Sequence, residues 1–280
     1  MRFPFSRKDE ENSKHESSWA DNLNSTNWSY YTEPRQWVPT ALLTLTTLTL
    51  IHGYKTYLRR IPTAEHMKPS FFRRRSVFGK VTSVGDGDNF RLFHTPGGKL
   101  AGWGWFPGRV VPSKREGLKE KTLHIRIAGI DAPELPHFGR PGQPYGEEAL
   151  NWLKDYILSH HVRAYVYRRD QYERVVATVF VRKWFIRRDV GLQMLKAGLA
   201  TVYEAKTGSE FGEFEAKYRA AEENAKRAKL GLWSKPSFIQ RVLGEKRKES
   251  ESPREFKNRM MATEEEAKKT VSTRKSSEKS

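Results

Sequence analysis

The sequence predicts a mainly β, α+β fold: a five-stranded barrel of the OB type with about three helices, preceded by a single transmembrane helix. Three observations carry that expectation. Short runs of alternating apolar and polar residues, bounded by Gly, Pro or Asx turns, recur between 77 and 181, the pattern of half-buried strands. Runs of helical period lie between and after them. An uncharged stretch from Gln36 to Tyr54 is about as long as the roughly 20 residues a bilayer-spanning helix needs.

Residues 1–36 mix acids and bases with Ser and Asn and show no apolar period, which predicts a disordered arm. Its acids, Asp9, Glu10, Glu11, Glu16, Asp21 and Glu33, do not suit a transit peptide. Residues 37–54 are read as the transmembrane helix, with Trp37 at one end, Tyr54 and Tyr57 at the other, and Lys55 able to snorkel. A buried helix and a cleaved signal segment are the alternatives. The first is disfavoured by its place outside the domain, the second by the long acidic leader and the lack of a small-residue cleavage site. Residues 55–76 form a basic linker in which Lys55, Arg59, Arg60, Lys68, Arg73, Arg74 and Arg75 face one acid, Glu65. That places this side of the span on the positive-inside face and would hold anionic headgroups.

The domain is expected over 77–233. Val77–Val84 and Phe90–Leu92 make a strand pair around Asp86-Gly87-Asp88. An insertion over 94–121 is rich in Gly and Pro, so it is not helical; its aromatics could stack bases or cover the barrel, and covering is favoured. In the next strand Leu123, Ile125 and Ile127 alternate with His124 and Arg126, which puts Arg126 on the face away from the core. Gly129 releases that strand, and Pro133 fixes a turn that sets Asp131 and Glu134 on one loop. A helix follows over about 145–159, with Leu150, Leu153 and Ile157 on one face. Val162–Val166 and Val175–Val181 form a hairpin across the Asp170 turn. Asp189 caps a short helix carrying Leu192, Leu195 and Leu199. Phe214, Tyr218, Ala221, Ala225 and Ala228 line a last helix, stopped by Gly231. Residues 234–280 are charged and apolar-poor and are expected to be a disordered tail without chemistry.

A cation and two acids within 126–134 suit phosphodiester hydrolysis, which needs charge neutralised on the phosphoryl oxygens, a base for water and usually a metal. Asp88 offers a hard carboxylate ligand upstream, and Arg169-Asp170-Gln171-Tyr172-Glu173-Arg174 adds a second arginine downstream. Together these pieces resemble the staphylococcal nuclease (thermonuclease) family, whose pattern is an acidic-Gly-Asp turn, Arg-x-x-x-x-Asp-x-Pro-Glu and Asp-x-Tyr-x-Arg, in the same order. The similarity continues through Tyr145-Gly146-x-x-Ala149, Leu195-x-x-Gly198-Leu199-Ala200 and Ala225-Lys226 to Gly231-Leu232-Trp233, so it covers 77–233.

The resemblance implies a hydrolase acting on phosphodiester bonds of DNA or RNA. It implies Ca2+ held by Asp88, Asp131 and the carbonyl of Ala132, with Glu134 as the base for water and Arg126 and Arg174 on the phosphate. Asn89 and Ala132 stand where the bacterial enzyme has threonines, and Glu173 replaces a glycine before Arg174, where it could pair with that arginine. Within the family the chain most resembles fungal membrane-anchored probable endonucleases placed in mitochondria, which implies that location, a single-pass anchor and a monomer. A non-catalytic nucleic-acid-binding module on the same barrel is the alternative; keeping Asp88, Arg126, Asp131, Glu134 and Arg174 favours the enzyme.

The formal charge of +18 independently points to a polyanionic partner, nucleic acid or anionic lipid. The absence of cysteine excludes disulfides, thiolate zinc sites and thiol catalysis. His124, His137, His160 and His161 have no metal-ligand spacing.

Overall fold

The computed structural model describes residue 19 and residues 33–136, 141–203, 210–234 and 252–263. The chain divides into two compact units, Met1–Thr56 and Tyr57–Ser280. Most of the arm expected over 1–36, His137, and residues 235–251 and 264–280 of the expected tail lie outside the described residues.

The first unit holds helix α1, Pro34–Gly53, which opens on a proline, where a missing N–H costs nothing. It corrects the expected transmembrane helix: among the described residues, no helix is long and apolar enough to cross a membrane. Freedom from charge is not apolarity. Thr40, Thr44, Thr46, Thr47 and Thr49, with Pro39 and His52, dilute the leucines, and the hydroxyls of Thr44, Thr46 and Thr49 each donate to the carbonyl four residues back.

In the second unit β1 (Ser76–Asp86), β2 (Asn89–His94) and β3 (Leu123–Ile127) form an antiparallel run. β5 (His161–Arg169) pairs with β1, and β6 (Val175–Lys183) pairs with β5. A parallel pairing of β3 with β6 then closes the sheet on itself, which leaves these five strands without a free edge. The sheet has a sixth strand, however. β7 (Ile186–Asp189) turns back on β6 through Trp184 and Phe185, so the expected five-stranded architecture is corrected to six. The turn escapes sequence reading because Trp184, at φ +57°, fills a left-handed position that hairpins usually give to Gly or Asn. A separate short ladder joins β4 (Ile130–Asp131) to β8 (Thr201–Val202).

The core fills from alternate strand positions: Val77, Val81, Leu92, Leu123, Ile125, Ile127, Val179 and Val181 are all fully buried. Helix α2 (Gly146–Ile157) packs on β1 through Ala149, Leu153 and Ile157, spaced by four residues and buried, one stripe of a helix. In the insertion, Trp103 stacks edge-on to Phe93 at 5.8 Å and so covers the barrel, while Trp105 and Phe106 are exposed.

Helix α3 (Val190–Lys196) is capped by Asp189, whose carboxylate accepts the Leu192 N–H at 3.2 Å and, on its other oxygen, the Tyr218 hydroxyl at 2.8 Å. Tyr218 lies on helix α4 (Glu215–Arg227), so this buried carboxylate joins sheet, α3 and α4. Within the span expected to be a disordered tail, residues 253–263 form a further helix, α5. Asp189→Ala removes a cap and the carboxylate partner of a buried hydroxyl, which should cost about 1–3 kcal/mol; an unchanged urea midpoint would contradict that joint.

Candidate active site

The β1–β2 turn is built so that an acid can approach the core loop opposite. Asp86 Oδ1 accepts the N–H of the next residue, Gly87, at 2.8 Å, and Gly87 brings the backbone against the loop after β4. A Cβ at Gly87 would stand 2.6 Å from the Ala132 Cβ and 3.2 Å from that of Ala149, so only glycine allows this approach. Asp88 follows, buried at 6 % exposure, with its backbone carbonyl accepting the Ile127 N–H at 2.9 Å.

Arg126 lies between Asn89 of β2 and Val176 of β6. Its Nη2 is 3.2 Å from Asp88 Oδ2 and donates at 3.1 Å to Asp131 Oδ1, while its guanidinium lies over the Tyr203 ring at 5.1 Å. Asp131 is set by the two-strand ladder: Gly129 turns the chain at φ +74°, and Asp131 then pairs with Thr201. Glu134 is the more open acid, its backbone tied to buried Gln143 by the 2.8 Å bond from the Gln143 N–H to its carbonyl.

These acids are crowded. Burial, then the charges of Asp88 and Glu134, push Asp86 up to about 6. Burial, with Asp88 beside it, also raises Asp131, against the pull of Lys257 and Arg126. Burial disfavours the Arg126 charge, yet Asp88 and Asp131 more than offset it and hold the guanidinium above its ordinary range. Such a set of half-compensated carboxylates favours any cation that reaches it. An ammonium does reach it: Lys257 of α5 lies 3.2 Å from both Asp131 oxygens and 2.7 Å from Glu134 Oε1.

Arg174 stands one residue before Val175, which pairs with Ile125, so it lies level with His124. Burial and the charges of Arg91 and Arg174 lower that histidine to about 4, and Asp88 acts on it too. Asp170 holds Arg174 in place. One oxygen accepts the Tyr172 and Arg174 N–H groups at 2.9 and 2.8 Å, and the other accepts Arg174 Nε at 2.7 Å. Glu173, at φ +59°, occupies a conformation that glycine adopts more easily, and its carboxylate turns to Arg169 at 3.8 Å.

The structure therefore gathers Asp88, Arg126, Asp131 and Glu134 at one point, with Ala132 beside Gly87 and Arg174 in the turn that leads into β6. Among the described residues no group of three or more His, Cys, Asp or Glu side chains is arranged to hold a metal ion. The pair Asp88 and Asp131 still fits a hard cation: its donors are carboxylate oxygens, and they already carry a guanidinium and an ammonium. Three contributors carry no role in the sequence reading, although Asp86 and Asp170 stand in its motifs. Asp86 reads as a turn residue and Asp170 as part of a hairpin. Lys257 was hidden by the charged composition of the tail, although Ser252-Pro253-Arg254-Glu255 is a helix-start signature.

Residues 124–235 match the family model of the staphylococcal nuclease homologues; β1, β2 and Asp88 lie before that span. The chain is 58 % identical over 265 residues to a probable endonuclease lcl3 of Pyrenophora tritici-repentis, covering 94 % of this chain and 98 % of that protein. It is 58 % identical over 255 residues to the protein so named in Sclerotinia sclerotiorum, covering 91 % and 93 %. With a probable endonuclease LCL3 of Pyricularia oryzae it shares 57 % identity over 266 residues, covering 95 % and 98 %.

The Asp86 shift sets a pH dependence. The native state keeps the proton between the ordinary value of 3.8 and about 6, so Asp86 removes stability as pH rises through that window. In chelator, Asp86→Asn should therefore match the parent near pH 3.5 and exceed it by about 1–2 kcal/mol at pH 7. A stability difference independent of pH would contradict the crowding.

Proposed function

Because the chain belongs to the staphylococcal nuclease family, we propose that it hydrolyses phosphodiester bonds of DNA or RNA, with Asp88, Asp131 and the Ala132 carbonyl holding Ca2+. The observation that supports this most is the meeting of Asp88, from the β1–β2 turn, and Asp131, from strand β4, on the one Nη2 of Arg126 at 3.2 and 3.1 Å. Nothing in the packing of a barrel calls for two buried acids and an arginine at that point. A bound divalent cation supplies positive charge to the phosphoryl oxygens and fixes their position.

The residues of the chain do the rest. Glu134, the most open of these acids, takes a proton from the attacking water at a carboxylate oxygen, which needs a base within hydrogen-bond reach of the water. The water oxygen bonds to phosphorus as the P–O bond opposite breaks, and the leaving oxygen takes up a proton from solvent. Arg126 and Arg174 donate to the phosphoryl oxygens, whose charge grows in the transition state. Asp170 fixes the direction of Arg174 through Nε. Location in the mitochondrion belongs to the same proposal and rests on resemblance alone.

The roles of the two loop acids separate in kinetics. Glu134→Gln should lower turnover by about 10²-fold or more with metal affinity little changed, whereas Asp131→Asn should raise the Ca2+ concentration needed for half-maximal rate. Plasmid and RNA cleavage measured against Ca2+ concentration reads both. If the two variants shift only the metal dependence, Glu134 is not the base; equal cleavage in Ca2+ and in chelator would remove Ca2+ from the reaction.

A further inference from the structure

Helix α5 is encoded, although it lies in a polar tail. Glu255 Oε2 accepts the Ser252 N–H at 2.8 Å, and Ser252 Oγ accepts the Glu255 N–H at 3.3 Å, the reciprocal bonds of a capping box with Pro253 at the first helical position. A helix this short is marginal alone in water, and its one large apolar residue in the first two turns, Phe256, is buried at 7 % exposure. Burial of Phe256 therefore accompanies docking of α5. The next residue is Lys257. Its ammonium has three donors, and the structure supplies three acceptors at 2.7–3.2 Å: both oxygens of Asp131 and one of Glu134.

We propose that α5 is an intramolecular plug of the active site, in which the Lys257 ammonium and the metal cation compete for the same carboxylates. This rests on the metal and base roles given to Asp131 and Glu134 above. A hard divalent cation binds carboxylate oxygens at about 2.3–2.6 Å, so it cannot share the face of Asp131 that Lys257 covers. Glu134 Oε1, while it faces the ammonium at 2.7 Å, is occupied and not open to an attacking water. One side chain thus caps a metal ligand and the base together, and its withdrawal releases both. Because the plug is tethered, its local concentration is fixed by the chain and does not fall on dilution. Calcium and a polyanion displace it from opposite sides, the first by taking Asp131, the second by drawing away the cationic helix that carries Arg254, Lys257 and Arg259.

The test is a Tb3+ titration of the full chain, read by luminescence sensitised through nearby Tyr203, on the parent, Lys257→Met and Phe256→Ser. Lys257→Met removes the competitor, and Phe256→Ser undocks the helix while leaving the lysine. Both variants should bind Tb3+ about 10-fold more tightly, a coupling of ordinary size between mutually exclusive ligands. Both should also reach half-maximal cleavage at correspondingly lower Ca2+, with turnover at saturating Ca2+ unchanged. Equal Tb3+ affinity in all three would overturn the plug while leaving the metal site standing. Weaker binding by Lys257→Met would overturn it too, by making the lysine a supporting member of the site. If none of the forms binds Tb3+, the metal reading itself falls, and the plug with it.

Discussion

The site depends on one close approach, that of Gly87 to Ala132. The β1–β2 turn brings Asp88, and β4 with the loop after it, from another part of the barrel, brings Asp131. Only where a Cβ is missing can the turn come so near, since that atom would stand 2.6 Å from the Ala132 Cβ. Everything chemical follows from that contact: Asp88 and Asp131 become neighbours, Arg126 can bridge them, and Glu134 is carried in on the same loop three residues later. The β4–β8 ladder and the Ile127 bond to the Asp88 carbonyl keep the approach from relaxing.

Bringing acids together costs stability, since carboxylates in a low-dielectric setting repel one another and lose solvation. The raised Asp86 and Asp131 record that cost. The fold meets part of it with Arg126 and Lys257, and the remainder is available to an external cation. Strain of this electrostatic kind is common where proteins bind metals and phosphates. Arg174 is handled differently: its charge is matched within its own turn by Asp170, whose carboxylate, though burial would raise it, is lowered by bonds from Arg174. Its position is thus fixed before any phosphate arrives.

Much of this was legible in the sequence because strand period is a local signal. Leu123, Ile125 and Ile127 face inward with His124 and Arg126 outward, as alternation requires, and Asp189 caps α3 as an Asp before an apolar helical run should. What failed to read was non-local or stereochemically unusual. β7 leaves little local signal because its turn uses Trp184 in a left-handed conformation. In α1 an absence of charge hides the weight of its threonines. In α5 charged composition outweighs a capping box. The partnership of Asp170 with Arg174, and the crowding at Asp86, arise only once the turns are folded, so composition and spacing carry little trace of them.

The central claim is that Asp88 and Asp131 hold one cation between them, and calorimetric titration of Ca2+ into the parent, Asp88→Asn, Asp131→Asn and the double variant tests it most directly. A shared ion predicts a single site in the parent, a loss of affinity of about 10-fold or more in each single variant, and no second site that either single variant spares. Two Ca2+ ions per chain, or a single variant that binds Ca2+ as the parent does, would mean that the two acids do not serve one ion.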